Sequence, residues 1–290
     1  MTQHSHQHGH THGHAHGHHH EHGHHDEAGL ADMLDLDAEV HGARLGEVTD
    51  WVGRFAPDAP RAVADIGAGT GTGTLALARR FPEAELIAID SSEAMLERLL
   101  ASARGGGPVD RLRVVQADLD AGWPAVGAVD VAWAALSLHH VADPDRVLRD
   151  IYEALNPGGL LAVIEMDALP RFLPDDVGVG RPGLESRCHE AIARANWNAH
   201  PDWRPHLEAA GFEIAEQRTF AFDVSPAQAS MARYAQTFLT RVRASLGDSL
   251  DAADLDTLDQ LLAGDGPGSL QRRSDLRLRG SRTGWAARRP

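Results

Sequence analysis

The sequence predicts an α/β protein: a doubly wound, mostly parallel sheet of seven strands with its last strand reversed, plus a helical insertion and a disordered histidine-rich N-terminal tail. Three observations carry this. From Arg61 onward, short β-branched or apolar runs alternate with amphipathic helical stretches, the pattern of strands joined by helical crossovers. The first run, Val63–Ile66, opens into a turn with glycines at Gly67, Gly69, Gly71 and Gly73, and a helical stretch follows at once. Glycines there let the backbone turn tightly and let a ligand approach the main chain. Finally, the first three strands each end at a carboxylate: Asp65, Asp90 and Asp118.

The elements follow in order. Residues 1–28 form a tail in which 13 of the 19 histidines fall within the first 25 positions, interleaved with small and polar residues. This is low complexity without the periodicity of a packed core. Residues 29–60 are a helical segment, with Val48, Trp51, Val52 and Phe55 on one face and Pro57 and Pro60 as its stop. That face predicts packing on the sheet in preference to a lid. The core spans residues 61–224. Its strands are Arg61–Ile66, Glu85–Asp90, Leu112–Asp118, Ala128–Ala135, Leu160–Met166 and Glu213–Val224. Ser91 or Ser92 caps the helix carrying Met95, Leu96, Leu99 and Leu100, and Asp143-Pro144 starts the helix behind the fourth strand. Helical stretches are expected near 184–198 and 203–210, the latter closed by Gly211. Residues 225–270 read as an insertion of two helical pieces broken near Gly247, and residues 271–290 as the final strand.

Composition narrows the function. The chain has 290 residues, 42% of them hydrophobic, and a formal charge of −15 in which every basic residue is arginine. An acidic chain repels polyanions, which argues against a long nucleic-acid partner, although seven arginines against one acid between Pro267 and Pro290 would permit a local basic patch. Cys188 stands alone, so no internal disulfide can form. No apolar run is long enough for a membrane span, and no signal-peptide core is visible, so a cytoplasmic protein is expected. Tail imidazoles such as His12, His14, His16, His18, His19 and His20 could chelate zinc or nickel, outside any reaction.

The ligand follows from the glycine turn. A dinucleotide loop needs G-x-G-x-x-G, yet the sixth position is Thr72 counted from Gly67 and Thr74 counted from Gly69. Asp65 would repel a pyrophosphate and attract a cation. Asp90 lies about 20 residues past Gly69, the spacing of an acid that accepts from ribose hydroxyls. Asp118 could accept from an adenine amine. Each acid alone could be a cap or a turn residue. Together they describe an adenosine joined to a positive centre, which is S-adenosylmethionine.

On these residues the chain resembles the class I S-adenosylmethionine-dependent methyltransferases, small-molecule branch, closely from Arg61 to Asp167. The resemblance implies a Rossmann-like fold and a methyl transfer to a small-molecule acceptor, with the O-, N- or C-nucleophile open. It implies cofactor contacts at Asp65, Gly67, Ala68, Gly69 and Gly71, at Asp90 with Ser91 and Met95, at Asp118 with Leu119, and at Leu136. The Leu155–Gly159 turn before the fifth strand is a further shared feature. The aromatic-proline tetrapeptide of nucleic-acid amino methylation is replaced by Ala135-Leu-Ser-Leu138, and the cysteines of arsenic methylation are missing.

A hydroxyl or ammonium acceptor must lose a proton, and His140 or His139, just past the fourth strand, is the expected base. Substrate recognition is expected from residues 169–210 and from the insertion acting as a cap, with the N-terminal helix as a further candidate cover and Trp197, Trp203, Tyr234 and Phe238 as candidate walls or core. A second reading makes the chain a non-catalytic binder of the same cofactor, a metal-responsive sensor working through its tail.

Overall fold

The computed structural model describes residues 20–107, 109–194, 202–225, 228–247, 249–264, 266 and 268–290. A single seven-stranded sheet runs in the order β3-β2-β1-β4-β5-β7-β6. Strands β1 (Ala62–Ile66), β2 (Glu85–Asp90), β3 (Leu112–Gln116), β4 (Val129–Ala135) and β5 (Leu155–Met166) pair in parallel. β7 (Leu278–Arg288) runs antiparallel to both β5 and β6 (Glu213–Val224). The fold class expected from the sequence, reversed last strand included, is the one observed.

Alternation along the strands divides the core into two layers. Val63, Leu86, Val131 and Leu160 face α1 (His20–Gly53) and α2 (Thr72–Arg80), whose Val48, Trp51, Val52, Leu77 and Phe81 cover them. Ala64, Ile87, Ala132 and Leu161 face the other way, onto Val147, Leu148 and Ile151 of α4 (Pro144–Ala154) and Leu207 of α6 (Arg204–Ala209). Each such side chain contributes about 1.5–3 kcal/mol on full burial, so this two-sided apolar alternation commits the sheet to the centre. Capping follows the sequence: Asp143 accepts from the Arg146 amide at 3.0 Å, and Ser92 rather than Ser91 caps α3 (Glu93–Arg104) through the Met95 amide at 3.4 Å.

Several boundaries differ from expectation. β3 ends at Gln116, which leaves Asp118 in the following turn. β5 begins at Leu155 and carries Asn156–Gly159 within the strand, where the Asn156 amide donates to Asp130 at 2.7 Å. α1 reaches back to His20, into the segment expected to be tail. His12, His14, His16, His18 and His19 lie outside the described residues, as does Trp197.

A second hydrophobic core lies beyond the sheet. α5 (Leu184–Arg194), α7 (Gln228–Leu246) and α8 (Ala252–Leu262) gather around Phe172, Leu239 and Leu258, and α1 packs Leu36 into the same cluster. α1 is therefore held on two sides, by the sheet at Val48–Val52 and by the helical insertion at Leu36. The C-terminal arginines form no open patch as a group. Arg277 pairs with Asp223, Arg282 with Asp37 and Arg273 with Asp275, while Arg289 donates to carbonyls of Tyr152 and Glu153.

Candidate active site

The chain leaves β1 for β2 and β3 at one edge, then returns to β4 on the other side of β1. Such a reversal opens a crevice at the carboxyl ends of the strands, where open α/β sheets bind ligands. Here the crevice is a cavity of about 500 Å³.

Its first half is built by the glycine turn. The amides of Gly67 and Ala68 donate to the Ile89 carbonyl at 2.8 and 3.0 Å, which staples the turn to β2. Gly71 has φ +90°, and a Cβ there would stand 2.4 Å from Leu99 Cγ, so both conformation and space require glycine. Asp90 holds the turn from below: Oδ2 accepts from the Gly69 amide at 2.8 Å and Oδ1 from the Ser92 amide at 2.9 Å. Each oxygen keeps a lone pair for a further donor. Asp65 is 3% exposed and accepts from the Thr74 hydroxyl at 2.6 Å. Burial pushes its carboxyl up to about 7, and the nearby Asp90 charge adds to the rise. An acid so placed is stabilised in its ionised form by a cation entering the cavity. Asp118 Oδ1 accepts from the Asp120 amide at 2.9 Å, and Leu119 and the buried Met95 complete this wall.

Ala135 leads into Leu136, a non-glycine residue at φ +56° whose amide donates to the Ile164 carbonyl at 2.9 Å. A non-glycine residue held in this region stores about 1–3 kcal/mol, and here it turns the chain sharply just after β4. That loop separates the two expected histidines. His140 lines the cavity, and burial followed by the adjacent His139 holds its ring below the usual imidazole range. His139 turns inward, its Nδ1 2.7 Å from Oε2 of the buried Glu165, and is not among the lining residues. The two rings stand 4.0 Å apart.

The second half departs from expectation. No described residue of 169–210 or 226–263 lines it. Trp203, Tyr234 and Phe238 are core residues, and the insertion acts as a buttress behind α1. The lining comes instead from α1 (Leu30, Leu34, Asp37, His41, Arg44, Leu45), from Phe220 and Phe222 on β6, and from Arg282 on β7. Sequence reasoning missed these polar residues. The signal was present in α1, because positions 30, 34, 37, 41, 44/45 and 48 step by three or four and continue the Val48–Phe55 stripe upstream. Nothing comparable marks Arg282.

All the cofactor-contact residues expected from the sequence stand on the first half of one cavity, apart from Gly71, which braces the turn against Leu99. Residues 64–161 match a family model described as a methyltransferase domain. Residues 64–161 of this chain thus carry a methyltransferase domain. A trans-aconitate 2-methyltransferase of Acidovorax ebreus is 39% identical over 126 residues, 43% of this chain and 46% of that one. A malonyl-[acyl-carrier protein] O-methyltransferase of Xylella fastidiosa is 34% identical over 146 residues, 45% and 48% of the two chains. These matches span about half the length of the curated relatives. The YcgJ protein of Bacillus subtilis shares the fold, with a TM-score of 0.53 and 17% identity over 86% of this chain and 98% of that one. Among the described residues, no group of three or more metal-ligand side chains and no helix long and apolar enough to cross a membrane accompanies the methyltransferase domain.

Proposed function

We propose that the protein transfers the methyl group of S-adenosylmethionine to a small-molecule acceptor. One observation supports this above the others: Asp90 braces the glycine turn through Gly69 while Asp65 stands buried beside it, an acid that a cationic ligand would relieve. The cradle fits the cofactor. Asp90 would hold the ribose, Asp118 and Leu119 the adenine, and Asp65 with Gly67–Gly69 the positively charged methionine part. Met95 would pack on the cofactor, and Leu136 would close the side facing the acceptor. Bound S-adenosylmethionine supplies an electrophilic methyl on a sulfonium.

The chain's own contribution is alignment and dryness. α1 closes the acceptor half against water with Leu30, Leu34 and Leu45. Holding the acceptor in line is worth up to several kcal/mol through orientation alone. His140 is the candidate general base. Its depressed basicity keeps the ring neutral near pH 7, ready to take a proton from a hydroxyl or an ammonium. No observation favours the sensor reading over this one.

A cofactor-consumption screen over phenols, quinones, amines and small acids tests the proposal, with turnover of at least one class expected. For an acceptor that must lose a proton, His140→Gln should lower kcat about 10²–10⁴-fold and flatten the acidic limb of the pH profile. Cofactor binding without turnover of any class would leave only the sensor.

A further inference from the structure

We infer that His41 of α1 orients the methyl acceptor, its Nδ1 accepting a hydrogen bond from an uncharged O–H or N–H on a molecule with an apolar body. The inference rests on the cavity's being the methyl-transfer site and adds the residue that fixes the acceptor's pose.

The second half of the cavity is walled by Leu30, Leu34, Leu45, Val48, Phe220 and Phe222, which suit an apolar body. Its other polar groups are already engaged. Arg282 donates through Nη2 to both oxygens of Asp37, at 2.7 and 2.9 Å, and feels the charge of the buried Glu165 as well. Asp37 also accepts from the Tyr234 hydroxyl at 2.7 Å. Arg44 is half-buried and donates from Nη1 to the Ala221 carbonyl at 2.8 Å. Ser137 donates to the Ile66 carbonyl at 2.7 Å.

His41 differs. It lines the cavity at 6% exposure, yet among the described residues neither of its ring nitrogens has a hydrogen-bond partner. Neither is sealed inside the protein either, in contrast to Nε2 of His189. A ring this buried, on the cavity wall, shows its open nitrogens to the cavity. The ring is also held in place, standing edge-on to Phe222 with centroids 4.6 Å apart. Nε2 is 3.7 Å from Oδ1 of Asp37, one helical turn earlier. That is too long for a hydrogen bond, but a carboxylate offers only lone pairs, so the nitrogen beside it keeps the ring's proton. Nδ1 is left with the lone pair.

Burial, then Arg282, with Arg44 adding and Asp37 opposing, brings the ring down to about 4, so it is neutral near pH 7. A ring so weakly basic holds a donor's proton without taking it, which leaves proton removal to His140. A lone pair among leucines and phenylalanines with no donor is costly, and an O–H or N–H on the acceptor removes the cost. A carboxylate brings no proton to meet it. An uncharged donor also suits a half whose buried charges are matched with one another.

Calorimetry and ring-nitrogen NMR on the full chain loaded with S-adenosylhomocysteine test this. The probes are p-cresol, cyclohexanol and hexanamide, each beside its fully O- or N-methylated counterpart, which lacks the donor. At least one donor should bind about 3- to 10-fold more tightly than its counterpart, the range of one neutral hydrogen bond. In the wild-type chain His41 should carry its proton on Nε2, and its Nδ1 resonance should move with that donor and stay with the counterpart. His41→Phe keeps an aromatic ring against Phe222 and should erase the preference, with S-adenosylhomocysteine affinity at the wild-type value. A chain that fails to bind S-adenosylhomocysteine would overturn the proposed function itself. With that binding intact, any of three results overturns the inference: no donor exceeds its counterpart, His41→Phe retains the preference, or the wild-type ring carries its proton on Nδ1. The last is read without the variant.

Discussion

The two halves of the cavity are made in different ways. The half proposed for the cofactor comes from one stretch of chain, Asp65 to Leu136, and its polar groups are largely engaged with their own backbone: Asp90 with Gly69 and Ser92, Asp118 with Asp120. The acceptor half is assembled from α1, β6 and β7, and its central pair, Asp37 and Arg282, is separated by 245 residues. In the first half the backbone conformation itself selects the residue, since only glycine tolerates the φ of Gly71 against Leu99. In the second, side chains sit on ordinary helix and strand backbone that would accept many residues. A conformational demand constrains residue identity far more tightly than placement on a surface does. Binding of the cofactor should therefore depend on the first half and be indifferent to the second.

The largest effect that tests this division is at Asp90. Asp90→Ala removes the anchor of the Gly69 amide and the acceptor proposed for the ribose. With charge-assisted hydrogen bonds worth about 1.5–3 kcal/mol each, S-adenosylhomocysteine affinity should fall by about 100-fold or more. Circular dichroism should stay native, because the strand itself is held by apolar pairing with β1 and β3. Unchanged affinity by calorimetry would remove the cofactor assignment from this half.

Asp37→Asn is the complementary change. It leaves Arg282 without a carboxylate and weakens the tie from Tyr234, so α1 loses its ion pair with β7 while the Ser230–Glu39 hydrogen bond still joins it to α7. Asp37 is ionised in the fold: burial opposes its charge, but Arg282 and His41 hold its carboxyl below the usual range. Breaking a buried pair costs about 3–5 kcal/mol. Both side chains keep nearly a fifth of their surface exposed, so about 2–3 kcal/mol is expected here. Thermal unfolding should move down by roughly 3–5 °C. S-adenosylhomocysteine affinity should change less than about threefold. A cofactor loss as large as that of Asp90→Ala would mean the halves are one coupled unit.

The same contrast explains what was legible in the sequence. The sheet, its reversed last strand and the gathering of the glycine turn with Asp65, Asp90 and Asp118 on one cavity wall could be read because period-two burial and glycine spacing each report a backbone requirement. The extent of α1 and the role of the insertion could not. Tyr234 and Phe238 carry the signature of any buried aromatic, and only the packing of α7 against α1 shows that they buttress a wall rather than form it. His139 and His140 are adjacent and identical in chemistry, yet the turn after Leu136 sends one to Glu165 and the other to the cavity. Arg282 sits in a strand among other arginines, most of which tie down loops and termini.

A smaller effect concerns pH and the first half alone. The Asp65 carboxyl is raised from 3.8 to about 7 in the fold, so the folded apo chain holds a proton there that the unfolded chain releases. This group's contribution therefore lowers folding stability as pH rises from about 4 to about 7, and is constant above. For a cationic ligand the sign reverses, because binding favours the ionised acid. S-adenosylmethionine affinity should rise with pH up to about 7, at no more than about tenfold per unit, and level off beyond it. Asp65→Asn should flatten the profile. A wild-type profile already flat between pH 5.5 and 8 would show that the cofactor's charge lies elsewhere.

The smallest expected effect belongs to neither half. The lining of the cavity begins at Leu30 of α1, the helix whose Leu36 packs into the core of the insertion and whose Val48–Val52 stretch packs on the sheet. Those two grips suffice to place the wall, since α1 is a continuous helix from His20 to Gly53 and transmits position along its length. Removing residues 1–19 should therefore leave S-adenosylhomocysteine affinity within about twofold and shift thermal unfolding by less than about 2 °C. The same deletion measured with and without zinc separates the tail's imidazoles from the cavity. If zinc alters cofactor affinity only while residues 1–19 are present, the histidines act on the site through α1, and the wall of the acceptor half becomes the element that carries the signal.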